Sequence, residues 1–458
     1  MMRQTIVCNI VGLTANMINE TTPNLKRFVE QGKLAQLTPT APAVTCSVQS
    51  TFLTGLTPNQ HGIVGNGWYF KTLNEVMFWR QSNRLVAGEK VWQCAKRQNP
   101  DFTCANLFWW YNMATDVDIS ITPRPIYTAD GRKIPDIYTT PLDLRATLQT
   151  QLGPFPLFNF WGPMASIQSS AWIMDSSKIV LAQYAPTLTL IYIPHLDYNL
   201  QRIGPHAPAL IEDIKQVDAL FGQLQAQAEQ SHARLMVVSE YAISAVSQPI
   251  HLNRIFRQQG WLVVRRELGH EVIDFHASKV FAVCDHQVAH IYLNAPEIEA
   301  DVQDCLQAIN GIDLILDHTS KARFHLDHTR SGDWVVLAKP DAWFTYYYWL
   351  DEACAPDFAR TVDIHHKPGY DPVELFIDPK LKYPKASIAW RLLKKKLGQR
   401  TLMDLIPLDA TLVKGSHGSL CPSNEKPIVI TSEADLLTHD CIHATEVKAL
   451  ILSHLFTP

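Results

Sequence analysis

The sequence predicts an α/β fold: a mainly parallel sheet with helices on both faces and inserted cap segments. Three observations lead there. Gln4–Val11, Pro186–Ile193 and Arg234–Val238 are short, apolar and rich in β-branched residues, as strands buried on both faces are. Strands of this kind alternate with helix-period stretches, the pattern of strand-to-helix units in a doubly wound sheet. And 458 residues, 47% apolar and 18% charged, suffice for one large core and argue against disorder.

In chain order, Gly12 breaks the first strand. Thr22-Pro23 then opens a helix with a cap and a proline at its first position. Leu25, Phe28 and Val29 face inward and Gly32 ends it. In residues 39–70, PTAPAVTCSVQSTFLTGLTPNQHGIVGNGWYF, the prolines force an extended approach. Cys46–Thr54 reads as a short helix stopped by Gly55, with Thr45 placed as its N-cap. A hydroxyl there either satisfies free backbone N–H groups or, because helix N-termini stabilise anions, is set to attack phosphorus.

Residues 71–184 hold few long helical periods and many aromatics and turn residues, which reads as an insertion covering one side of the site. Trp109, Trp110 and Tyr111 read as core rather than as a ligand platform. After Pro186–Ile193 comes HLDYNLQRIGP, where Asp197 lies at the C-terminal end of a strand, the usual ligand edge of α/β sheets. Ala209–Ala228 carries Ile211, Ile214, Val217, Leu220, Phe221 and Leu224 on one helical stripe. Arg234–Val238 ends in SEYAIS, which holds Glu240 and Tyr241. Asp285, His286 and His290 read as part of a β-ribbon near the surface, with replacement of missing ligands as the rival. Ala342–Leu350 is an aromatic strand of core type. Ile388–Arg400, IAWRLLKKKLGQR, is a short basic amphipathic helix with solvated lysines, and a weak membrane-surface or acidic-partner contact is its second reading.

Net charge is −4, so no global electrostatic case exists for nucleic acid. Nine scattered cysteines without a CxxC pair fit reduced thiols, and the expected location is cytoplasmic. The first strand begins almost at once, so no leader is expected, and no apolar run approaches the roughly 18 residues of a membrane span.

PAVT at Pro42–Thr45 and TGLTPNQHGIVGN at Thr54–Asn66 resemble the nucleotide pyrophosphatase/phosphodiesterase branch of the alkaline phosphatase superfamily. The sulfatase pattern, Cys or Ser followed two residues later by Pro, is absent at Cys46-Ser47-Val48. The resemblance spans nearly the whole chain. It implies one alkaline-phosphatase-like domain over 1–458, with a core of about 1–68, 185–262 and 405–458 and insertions at about 70–184 and 265–404. It implies Thr45 as nucleophile and zinc ligand, and Asn66 as a residue that holds a phosphoryl oxygen.

The other metal positions depart from the family. Val11 stands at the aspartate that ends the first strand, and Asn9 lies on the same strand face one repeat earlier. Asp197 is kept, but Gln201 replaces the histidine four residues on. Ser-Asp-His-Gly becomes Ser239, Glu240, Tyr241 and Ala242. Pro368 replaces the histidine of the His-Gly-Tyr-Asp segment. His417, in a terminal His-Gly, takes the last ligand position, with His366 as runner-up. The set Thr45, Asp197, Glu240 and His417, with Gln201 a weak donor, implies one divalent metal, zinc or manganese, rather than a full two-zinc pair. Two functions are expected: a hydrolase of a phosphodiester or pyrophosphate of a small molecule, or a metal-depleted protein that binds a phosphate-bearing metabolite without turnover.

Overall fold

The computed structural model describes residues 2–420 and 425–457. Its centre is a nine-stranded sheet in the order Cys441–His443, Lys33–Thr38, Ile428–Thr431, Arg234–Val238, Thr5–Ile10, Leu188–Ile193, Cys104–Leu107, Ile119–Pro123, Ile137–Thr140. The five strands from Arg234–Val238 to Ile119–Pro123 run parallel, and Ile428–Thr431 and Ile137–Thr140 run against their neighbours. Thr5–Ile10 lies between Leu188–Ile193 and Arg234–Val238, in register Asn9↔Tyr192 and Asn9↔Val238. All three of these strands are buried along their whole length, which is why their sequences are apolar runs rather than alternating ones. Their C-terminal ends share one edge, and that edge collects the site.

Two groups of helices cover the sheet. Pro23–Gln31 and Ile167–Tyr184 pack on Leu210–Gln230, with the Phe28 and Phe221 rings 5.2 Å apart. Thr45–Thr54 packs on Val447–Phe456. A second, four-stranded antiparallel sheet, Val280–Asp285, Val288–Leu293, Trp334–Ala338 and Ile312–Leu316, has its own core with Phe281, Tyr292, Trp343 and Trp349.

Two expectations need correction. Residues 71–184 are not only a cover, for they supply Cys104–Leu107, Ile119–Pro123 and Ile137–Thr140 to the central sheet. These strands are four or five residues long, too short to show a period among so many aromatics. The ribbon carrying Asp285, His286 and His290 is not at the surface: all three residues are buried.

Candidate active site

Thr45 is the first residue of its helix, not the cap. Val44 occupies the cap position with extended backbone, and Gly55 closes the helix in the left-handed region at φ 69°. The hydroxyl is therefore free of capping duty. It bonds the Tyr241 hydroxyl at 3.1 Å, and Tyr241 in turn donates to Asp197 Oδ1 at 3.4 Å. The direction is set by the acceptor: an ionised carboxylate only accepts, so Tyr241 donates to Asp197 and Thr45 donates to Tyr241. Asn66 is fixed from both sides. Its Oδ1 accepts from the Cys46 N–H at 2.9 Å, while its N–H and Nδ2 donate to Asp285 at 2.7 and 3.1 Å. Asn66 thus ties the helix start to the second sheet through Asp285.

Three carboxyls of the site are buried. Burial pushes Asp197 up to about 7, against donors Gln201 Nε2 at 2.7 Å and Tyr241. Burial likewise pushes Glu240 up to about 8, although Asn9 Nδ2 and Gln49 Nε2 donate to its Oε1 at 2.5 and 2.6 Å. Asp285 rises to about 6 by burial, opposed by its bonds from Asn66. Glu240 Oε2 and Asn9 Oδ1 are buried without a hydrogen-bond partner among the described residues.

Four rings close the site. Tyr241 stacks on His417 at 3.5 Å and 7°, His417 meets His286 at 3.8 Å, and His286 stacks on Tyr370 at 3.5 Å. Tyr370 donates to Gln201 Oε1 at 2.8 Å, which returns the column to Asp197 through the Gln201 amide. His417 Nδ1 donates to the Ala43 carbonyl at 2.8 Å, leaving its unprotonated Nε2 3.9 Å from Asp197. Burial holds both histidines well below their ordinary range, so the column is neutral.

This donor set does not fit two zinc ions. Val11 is apolar and buried, Tyr241 and Gln201 are engaged with Asp197, and Glu240 Oε1 is taken by two amides. Among the described residues no cluster of three His, Cys, Asp or Glu side chains could hold a metal. His366 is excluded from the site: its side chain is 73% exposed and pairs with Asp363 at 2.7 Å. The orphaned oxygens of Glu240 and Asn9, beside Thr45, form an oxygen-only set. Oxygen donors of this type are the ones that hard divalent cations take.

Thr45, Asn66, Asp197, Glu240, Gln201 and His417 are brought together as the sequence predicts, and His366 is not. Asn9, which the sequence placed on the ligand face, and Asp285 and His286, whose rival reading was as replacement ligands, join the site, and Gln49 and Tyr370 complete it. Gln49 was legible in principle: it lies four residues after Thr45, one helical turn along the same face. His286 sits in the turn between two strands at φ 60°, a left-handed conformation rather than a strand one.

The sheet order and the site at its strand ends define the alkaline-phosphatase-like class of α/β proteins. Within that class, a sequence model of the type I phosphodiesterase / nucleotide pyrophosphatase family matches residues 5–371, and the chain belongs to that family. Solved structures similar in fold include murine ectonucleotide pyrophosphatase / phosphodiesterase 5, as an inactive variant in complex with AMP. It is 14% identical at a TM-score of 0.58, covering 99% of this chain and 94% of that one. Human ectonucleotide pyrophosphatase / phosphodiesterase 5 is 13% identical at 0.59, with the same coverage. Phosphonoacetate hydrolase from Sinorhizobium meliloti 1021, in complex with phosphonoformate, is 14% identical at 0.61, covering 99% and 96%. A comparison with curated proteins finds no significant match.

Proposed function

We propose that the chain is a hydrolase of a small phosphodiester, pyrophosphate or phosphonate, with Thr45 as nucleophile and Asp197 as the terminal proton acceptor. The observation that carries this reading is the chain of hydrogen bonds from Thr45 through Tyr241 to Asp197. As Thr45 Oγ1 attacks phosphorus and the bond from phosphorus to the leaving group breaks, the Thr45 proton passes to the Tyr241 oxygen and the Tyr241 proton passes to Asp197. Burial lifts Asp197 to about 7, so it can take that proton and give it to the leaving group; water then attacks the phosphothreonine, its proton passes through Asp197 and Tyr241 to Thr45, and the Oγ1–phosphorus bond breaks. Asn66, oriented by Asp285, places an amide beside the helix start, where a phosphoryl oxygen gains from the backbone dipoles. The oxygens of Glu240, Asn9 and Thr45 would hold a single divalent cation, which when bound supplies Lewis acidity at the nucleophile. Family membership supports the reaction class, and the solved relatives bound to AMP and to phosphonates support ligands of this size. All eight described cysteines are free, which supports a cytoplasmic location.

The second reading is a protein that binds a phosphate-bearing metabolite without turnover. The four-ring column favours it, because Tyr241 and His417 stack where the family keeps zinc ligands. A substrate panel separates the two. Activated diesters, monoesters, nucleoside pyrophosphates and phosphonates are offered with zinc, manganese or magnesium, alongside calorimetric titration with AMP and inorganic phosphate. Turnover of any class by purified protein is the expected outcome. Binding without turnover across the panel would overturn the hydrolase and establish the binding protein.

A further inference from the structure

We propose that the helix Pro384–Lys396 is an interfacial anchor that seats this protein on an anionic bilayer surface. No residue of this helix is buried. Ala386, Ala389, Trp390, Leu393 and Leu397 recur at the spacing of one helical face, and that face is turned to solvent. Trp390 is 57% exposed and Leu397 69%, and Tyr383, just before the helix, is 81% exposed. The opposite side is the one tied down: Arg391 Nε bonds Asp404 at 2.8 Å and its guanidinium also reaches Ser387. The apolar stripe is therefore presented outward by a fixed helix.

Charge selects the occupant. Residues 379–403 hold eight basic side chains and no acidic one, in a chain whose net charge is −4. Lysines border the stripe, with Lys394 Nζ 5.3 Å from the Trp390 ring and Lys385 and Lys396 on the other flank. A tryptophan with leucines between lysines is suited to the boundary of headgroups and acyl chains. There the lysine stems lie along the apolar layer and their charges reach the phosphates. The remaining surface is net acidic and is repelled by the same bilayer, which fixes the orientation. A second element extends the patch. The hairpin Ile126–Tyr127 and Lys133–Ile134 exposes all three of its apolar side chains, and Arg400 Nη2 bonds the Ala129 carbonyl in its turn at 3.3 Å. No described helix is long and apolar enough to cross a membrane, so the contact is one that lies in the surface plane.

The test is co-sedimentation of the full chain with phosphatidylcholine vesicles, with and without about 30% phosphatidylglycerol, a fraction chosen to mimic a strongly anionic leaflet. Binding is expected only to the anionic vesicles, falling at least tenfold between low and high salt. The pair Trp390→Gln and Leu393→Gln, and separately Lys394→Glu with Lys395→Glu and Lys396→Glu, should each reduce binding at least tenfold. Hydrolysis of a soluble substrate should be unchanged in both, since neither set touches the site. Equal pelleting of wild type and variants, or wild type that stays in solution with all vesicles, would overturn the proposal. So would concentration-dependent self-association, seen by light scattering without vesicles and abolished by Trp390→Gln with Leu393→Gln. That outcome would assign the face to a second copy of the chain.

Discussion

At the scale of residues, the site is a family frame rebuilt with different side chains. Tyr241 is the clearest case. It stands where the family resemblance implies a histidine ligand, and its hydroxyl bonds both Thr45 and Asp197, the link that the proposed proton path uses. Asp197→Asn and Tyr241→Phe should each lower kcat by roughly 10²–10⁴-fold, the range of a lost proton acceptor, with retained cooperative unfolding as the control. The wild-type rate should rise as pH passes through about 7, because attack needs the Asp197 carboxylate, and Asp197→Asn should flatten that limb. A rate–pH profile measured on both proteins checks it. Elemental analysis should find fewer than two zinc ions per chain, since Val11, Gln201 and Tyr241 leave too few donors. Thr45, Asn66, Asp197, Glu240 and His417, which the family resemblance implied, lie together at the strand-end edge. Asn9 was legible on the ligand face of its strand, but its 2.5 Å bond to Glu240 joins residues 231 apart and needed the tertiary fold.

At the scale of elements, residues 367–375 hold the column in place. Lys367 bridges Asp371 at 2.8 Å and Glu374 at 2.7 Å, and all three are buried. Glu374 also accepts from the Trp161 indole at 2.6 Å. Between these residues Gly369 passes so close to Tyr346 that an added Cβ would lie 2.5 Å from its Cβ, and Tyr370 projects onto His286. Lys367→Met should destabilise the protein by about 3–5 kcal/mol in a denaturant titration, because two buried carboxylates lose their shared cation. Tyr370→Phe should cost only about 1 kcal/mol, the value of one neutral hydrogen bond to Gln201. The long buried strands and amphipathic helices were legible because burial on both faces or on one stripe writes a strong pattern. Short strands such as Cys104–Leu107 were not, since pairing in the sheet, not local periodicity, makes them strands.

At the scale of the whole molecule, three buried acids make stability depend on pH. Asp197, Glu240 and Asp285 are raised to about 7, 8 and 6 from ordinary values of 3.8, 4.5 and 3.8. Between those limits the folded chain keeps protons that the unfolded chain releases, so stability is full below about 4 for these groups and falls as pH rises to about 8. Thermal unfolding in metal-free buffer should show this decline, and Glu240→Gln should make it shallower between about pH 5 and 8. The proposed nucleophile, Thr45, begins its helix at the strand-end edge of the parallel core. The direct measurement is therefore hydrolysis of a nitrophenyl phosphodiester by wild type and Thr45→Ala, with unfolding temperatures taken alongside. Thr45 is not a helix cap, so its loss should leave stability within about 1 kcal/mol while the rate falls by several powers of ten. A Thr45→Ala protein that hydrolyses the ester near the wild-type rate would contradict the account.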